Sequence, residues 1–280
     1  MDFIDLHIHT TASDGSLSPK EVVHKALEIG LYAMAITDHD TVSAVAPAMH
    51  AAEGLPLHVI SGVEISSHWM GKEIHILGYN FDHENEFLVD TLSDLAILRY
   101  ERNEKMCELL RQNGIDITMR ELQEKSHCSV INRVVMGRLM VEKGYVRDIH
   151  EAFSKYLGGN CPCYIPKFTI SAEDAYKLIT YAGGVCSLAH PVQYKLTDDG
   201  YIQLFKFIKD IGFKCIEAFH SDNKPGDTER FSSLASSVGL GITGGSDFHG
   251  LSKPDIFIGT GKGNTMVPKN LLKNIGIIDF

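Results

Sequence analysis

The chain has 280 residues, 44% of them hydrophobic and 22% charged, enough for one large α/β domain or a barrel with an insertion. No run approaches the roughly 18 apolar residues of a membrane span, and Met1-Asp2-Phe3-Ile4-Asp5 lacks the basic start of a signal peptide, so a cytoplasmic protein without membrane contact is expected. A formal net charge of -10 argues against broad adhesion to nucleic acid, and no stable binding to a duplex is expected; an anionic substrate has to be drawn by a local positive site.

Phe3-Ile4-Asp5-Leu6-His7 reads as a strand. Ser18-Pro19-Lys20-Glu21 then supplies an N-cap, a first-turn proline and a capping-box glutamate, which predicts a helix from Pro19 to about Ile29 with Gly30 ending it. Tyr32 to Ile36 is a short apolar strand delivering Thr37-Asp38-His39, and a helix around Val42 to Glu53 leads to a strand from Leu57 to Val63 that delivers Glu64 at its end. Only ten residues separate Glu64 from His75, too few for a helical crossover. The strand Glu73 to Tyr79 is therefore expected to return antiparallel, with His75 near its start.

From Glu84 to Gln112 the pattern is long, polar and helical. Thr118-Met119-Arg120-Glu121 is a second capping box, and Asn132 to Lys143 and Arg147 to Leu157 are further helical stretches closed by glycines. Residues 99–167 thus read as a small all-α insertion between a first segment, 1–98, and a second, 168–280. In that second segment β/α alternation resumes, with strands at Val185 to Ala189, Lys214 to Phe219 and Leu240 to Gly244, and helices from Ser171, near Tyr201 to Ile211 and around Asp227 to Ser237. Roughly seven strands with polar residues at successive ends favour an α/β barrel over an open doubly wound sheet.

His7 and His9 are two apart, so on a strand their rings point to one side and can chelate one ion. Asp14 follows in a Ser13-Asp14-Gly15 loop, which alone reads as an ordinary turn. Asp38-His39-Asp40, Glu64, His75, His190 and Asp247-Phe248-His249 then recur at strand ends. So many ionisable groups at one rim need compensation, and divalent cations supply it. The six cysteines, Cys107, Cys128, Cys161, Cys163, Cys186 and Cys215, contain no CxxC pair and read as reduced thiols, with Cys161-Pro162-Cys163 an ordinary loop. His24, His50, His58, His68, His83, His127 and His150 lie outside these motifs and read as surface or packing residues.

The stretches DLHIHTTASDG, TDHD, GVEIS, KEIHILGY, AHP and GGSDFHG resemble the PHP (polymerase and histidinol phosphatase) family of metal-dependent phosphoesterases. The resemblance implies a distorted (β/α)7 barrel, here with the all-α insertion as a substrate cap, and two to three divalent ions, Mn, Fe or Zn. It implies that His7, His9, Glu64 and Asp247 hold one ion, that Glu64 bridges to a second held by His75 and His190, and that Asp14, His39 and His249 hold a third. The expected chemistry is attack of metal-bound hydroxide on phosphorus. Asp5 and Asp38 are expected either to orient ligand imidazoles or to cap their strand ends, and Asp40 and His220 are candidates for proton transfer.

The insertion resembles that of PHP enzymes that take the 3′-phosphate from nucleoside 3′,5′-bisphosphates or trim short RNA from its 5′ end. Arg133, Lys167 and His220 are accordingly candidates for binding the substrate, a small phosphorylated nucleotide or short oligonucleotide. Members of that type often carry Pro-His after the insertion arginine, where Val134-Val135 stands here. Histidinol-phosphate phosphatase and a non-catalytic PHP module with structural metal are the competing expectations.

Overall fold

A computed structural model describes residues 3–125 and 130–277 of the chain; His127 and Cys128 lie outside the described residues. The first capping box forms as its sequence predicts. Ser18 accepts from the Glu21 N–H, Glu21 reaches back to the Ser18 N–H, and helix α1 spans Pro19–Glu28. Helix α2 is shorter than its pattern and spans Val45–Ala51, because the Thr41 hydroxyl takes the Ser43 N–H at 3.2 Å in a local turn before it.

Among the described residues, nine strands form one mixed sheet: β1 (Phe3–Ile8), β2 (Ala33–Ile36), β3 (His58–Trp69), β4 (Lys72–Tyr79), β5 (Ile170–Ser171), β6 (Val185–Leu188), β7 (Cys215–Phe219), β8 (Gly241–Gly244) and β9 (Val267–Pro268). Their order is β8-β7-β6-β4-β3-β2-β1-β9, with β5 beside β3. The seven strands read from the sequence are all present. The two extra ones have two residues each, too few to leave an alternating pattern. The last links of the barrel come after β8: Phe248 bridges to Ile8, Asp247 donates to the His7 carbonyl at 2.9 Å, and His9 donates to Phe248 at 2.9 Å. That pairing nearly closes the sheet.

Strand β4 does run antiparallel, to β3 on one side and β6 on the other. Glu64, however, does not end its strand as expected. β3 continues five residues further to Trp69 and turns through Met70 and Gly71, both at positive φ, into β4. Two such residues make the tight turn whose twist matches a hairpin, so the short separation from His75 is spent on a long two-stranded ribbon instead of a loop. Glu64 therefore faces inward from mid-strand, opposite Leu77, and His75 sits opposite Ser66.

The chain divides into two compact units, Met1–Leu92 with Thr169–Phe280, and Ser93–Phe168. The first contains the sheet, α1, α2, and three later helices over Ala172–Tyr181, Asp198–Ile211 and Asp227–Ser237. Its apolar interior gathers Ile4, Leu6, Ala35, Leu77, Tyr79 and Val267. The second is helical and packs Met106, Leu110, Met136, Met140, Leu157 and Cys163 around its own core. The five described cysteines are free thiols, and no described helix is long and apolar enough to cross a membrane.

β1 carries an irregularity between Asp5 and Ile8 that re-aims its end, where His7 and His9 project together. The segment after β8 has to pass against that end, and Gly245 permits it: a Cβ there would lie 2.3 Å from the His7 Cβ. Gly245→Ala should therefore destabilise the protein by about 1–3 kcal/mol through forced overpacking. Gly159→Ala, where nothing lies within 4 Å, should cost almost nothing. Urea unfolding of both variants checks the contrast, and equal midpoints would refute the close-approach account.

Candidate metal centre

Glu64 is 1% exposed, and five imidazoles surround its carboxylate. Oε1 lies 2.8 Å from His75 Nδ1 and 2.8 Å from His190 Nε2, while Oε2 lies 3.0 Å from His39 Nδ1, 3.2 Å from His9 Nε2 and 3.3 Å from His7 Nε2. His75 comes from the paired strand, His39 from the end of β2, His190 from the end of β6, and His7 and His9 from the end of β1. Asp247 Oδ1 sits 3.4 Å from His9 Nε2 and 3.6 Å from His7 Nε2, and Asp14 Oδ1 sits 3.2 Å from His249 Nε2. All nine residues expected as ligands thus meet in one cluster.

Three sets of donor atoms within it are close enough to share an ion: His9, Asp14, His39 and His249; His7, His9 and Glu64; and His39, Glu64 and His75. The donor chemistry suits divalent metal, with neutral nitrogen and carboxylate oxygen in each set. Several features of the cluster fit that use. His7 and His9 oppose their Nε2 atoms at 3.1 Å, and His190 Nδ1 and His220 Nε2 are buried without a hydrogen bond. Asp40, His190 and Asp247 hold φ values of 52°, 26° and 57°, a region that side chains other than glycine seldom adopt and that concentrates at functional sites.

Electrostatics point the same way. Burial pushes the Glu64 carboxyl up, yet His39, His75 and His7 outweigh it and hold it well below the usual range. Burial also opposes ionisation of Asp247 and Asp14, and is overcome by Lys253, His249 and His7 in the first case and by His39 and His249 in the second. Burial lowers the His39 pKa to about 3, whereas at His9 it is outweighed by Asp247 and Glu64, which raise that ring to about 9. The carboxylates are thus held in the ionised form, the form that binds a divalent cation.

Asp5 and Asp38 take backbone and hydroxyl donors, so of the two expected roles the strand-end cap describes their direct contacts. Asp5 accepts from the backbone N–H groups of His7, Ser246 and Gly259, at 3.2, 2.8 and 2.7 Å, and so pins three chain segments. Asp38 accepts from Thr10 N–H and from the Thr10 and Ser13 hydroxyls, and reaches His9 only through Ser13, whose Oγ lies 3.3 Å from His9 Nδ1. A carboxylate at a strand end finds unsatisfied backbone donors before it finds a ring. The direct grip on an imidazole comes from Glu217 of β7: Oε1 lies 2.9 Å from His7 Nδ1, and Oε2 accepts from the His190 N–H at 2.7 Å. Sequence reasoning missed Glu217. Its only signal is a carboxylate inside the apolar strand Cys215-Ile216-Glu217-Ala218-Phe219.

The remaining candidates fall in different places. His220 is 1% exposed and joins the cluster, with Nε2 3.4 Å from Asp247 Oδ2 and Nδ1 accepting from the Asp222 N–H at 3.1 Å. Asp40 accepts from the Ser66 N–H at 2.8 Å and hydroxyl at 3.1 Å. Arg133 lies within the helical unit, donating to the Leu157 carbonyl at 3.1 Å with its guanidinium over the rings of Tyr164 and Phe153. Lys167 lies in the loop that ends that unit.

Known proteins with similar sequence and structure identify the family. The PHP domain family matches residues 5–224. The 5′-3′ exoribonuclease Rnm of Escherichia coli is 34% identical over 247 residues, covering 88% of this chain and 84% of that protein. The 3′,5′-nucleoside bisphosphate phosphatase of Chromobacterium violaceum is 33% identical over 250 residues, covering 88% and 87%. A crystal structure from Bifidobacterium adolescentis, described as a metal-dependent phosphoesterase, superposes with a TM-score of 0.81 at 27% identity over 97% of this chain and 94% of that one. Matched through both its motifs and its nearly closed barrel, the chain belongs to the PHP domain family and is a hydrolase of phosphoric esters.

Proposed function

We propose that the chain releases phosphate from a small nucleotide of the 3′,5′-bisphosphate type, or trims short RNA from its 5′ end, at a centre of two to three divalent ions. The observation that carries this reading is the convergence of three donor sets on Glu64, His9 and His39, an arrangement suited to adjacent cations. The proposed ligands are His7, His9, Asp14, His39, Glu64, His75, His190, Asp247 and His249. The nucleotide substrate is supported by the two curated relatives, one an exoribonuclease and one a bisphosphate phosphatase.

Bound divalent ions would supply stabilisation of charge on the phosphoryl oxygens and activation of water. The side chains do the positioning. Glu217 fixes the His7 ring at Nδ1 and leaves Nε2 turned to the centre, and the Asp38–Ser13 pair does the same for His9. His220 accepts from the Asp222 N–H at Nδ1 and turns Nε2 toward Asp247, and it is the proposed proton donor to the leaving oxygen. Asp40 is the weaker candidate for that transfer, because both of its oxygens already brace Ser66. Arg133 and Lys167 stay proposed substrate contacts.

The protein, stripped with a chelator and reloaded with Mn²⁺, should release phosphate from adenosine 3′,5′-bisphosphate or shorten a 5′-phosphorylated RNA, and should leave histidinol phosphate intact. Hydrolysis of histidinol phosphate alone would replace the nucleotide reading. No hydrolysis of any phosphoester by the reloaded protein would point to a structural metal module. Glu217→Gln should weaken Mn²⁺ binding by about 10–100-fold, measured by titration calorimetry, as loss of a partner that orients a ligand does. His220→Asn should lower kcat by roughly 10²-fold while Mn²⁺ affinity stays near wild type. A collapse of that affinity instead would make His220 a ligand.

A further inference from the structure

Lys253 is a feature of the centre that the PHP motifs do not include. It follows Asp247-Phe248-His249 by four residues, at the end of the turn Gly250–Ser252, and its ammonium lies 2.6 Å from Asp247 Oδ2. The turn does not place it there by chance. Ser16 N–H donates to the His249 carbonyl at 3.0 Å, the Ser16 hydroxyl accepts from Leu251 N–H at 2.7 Å, and the Ser252 hydroxyl donates to the Asp14 carbonyl at 3.1 Å. Two loops that each bring proposed ligands are thereby fastened together, and the fastening aims Lys253 at the cluster. The side chain keeps 37% of its surface exposed, so the ammonium has a path to water.

An ammonium beside a carboxylate that is also a metal ligand competes with the metal for the same charge. Lys253 and an ion at Asp247 are like charges a few ångströms apart, and at short range that repulsion is worth kilocalories even at high effective dielectric. We propose that Lys253 is the resident counter-ion of the metal centre: it neutralises and orients Asp247 while no ion is bound there, and it opposes loading of the ion that Asp247 ligates. The loop geometry then sets metal affinity as well as ligand position. The inference rests on the metal-centre reading, and its test separates the two.

Chelator-stripped wild type, Lys253→Met and Lys253→Arg are titrated with Mn²⁺ by calorimetry, and each is melted with and without the metal. Lys253→Met is expected to bind Mn²⁺ about tenfold more tightly than wild type, with a lower Tm in the stripped state and no loss of Tm in the loaded state. Lys253→Arg, which keeps the charge, is expected to stay near wild type in both. Unchanged or weaker Mn²⁺ binding by Lys253→Met overturns the inference, as does an equal fall of Tm with and without metal, the pattern of a merely structural lysine. If wild type binds no Mn²⁺ at all, the metal-centre reading fails with it. Tight binding by wild type and no tighter binding by the variant sinks the counter-ion role alone.

Discussion

A carboxylate 1% exposed, with five imidazoles within 3.3 Å, governs how the rest of the barrel is built. Moving an ionised carboxylate out of water costs several kilocalories per mole unless positive charge or hydrogen bonds replace the lost hydration. Glu64 has no backbone loop around it to do this, since it sits in mid-strand with its neighbours paired. Compensation has to arrive from β1, β2, β4 and β6, whose ends or interior carry the five rings. A flat sheet cannot bring strands that far apart in order to one carboxylate. A sheet curled until the segment after β8 meets β1 can, and the position of Glu64 therefore demands the near-closure that the bridge between Ile8 and Phe248 provides.

Precision in such a cluster depends on carboxylates that touch no proposed ion. Asp5 ties β1 to the segments at Ser246 and Gly259, Asp38 ties the end of β2 to Thr10 and Ser13, and Asp40 ties the same strand end to Ser66 of β3. Each hydrogen bond to an ionised group is worth about 1.5–3 kcal/mol, more than a neutral one. These bonds offset the backbone strain at Asp40, His190 and Asp247, which left-handed φ values impose at roughly 1–3 kcal/mol each. His190 illustrates the exchange, for its strained N–H is the one that Glu217 accepts at 2.7 Å.

Much of this was legible in the sequence, and the parts that were not share a cause. The nine proposed ligands stand in motifs that resemble those of the PHP family, so they could be named before any contact was known. The antiparallel β4 followed from chain length alone. Glu217 and Lys253 escaped because each acts through a contact with a residue distant in sequence or folded back by an irregular turn, and neither leaves a period to read. The extension of β3 to Trp69 escaped for a related reason: Ser66-Ser67-His68 looks like a loop, and only pairing with Lys72–Ile74 and with β5 makes it strand. Asp5 and Asp38 were correctly placed near the centre, but whether a carboxylate takes a ring or an N–H depends on distances of a few ångströms.

The three donor sets are linked in a way that limits how they can be used together. Each pair of sets shares one residue: His9 joins the first and second, His39 the first and third, Glu64 the second and third. A carboxylate has two oxygens and can serve two ions at once, so Glu64 is a natural bridge. A neutral imidazole offers one lone pair, and its other nitrogen keeps a proton, so His9 and His39 can each serve only one. For His9 the partner of the second nitrogen decides which. Ser13, itself held by Asp38, lies 3.3 Å from His9 Nδ1 and so directs Nε2 toward Glu64 and Asp247, on the side of His7. That commitment takes His9 out of the first set, and Asp14, His39 and His249 remain in it as proposed ligands.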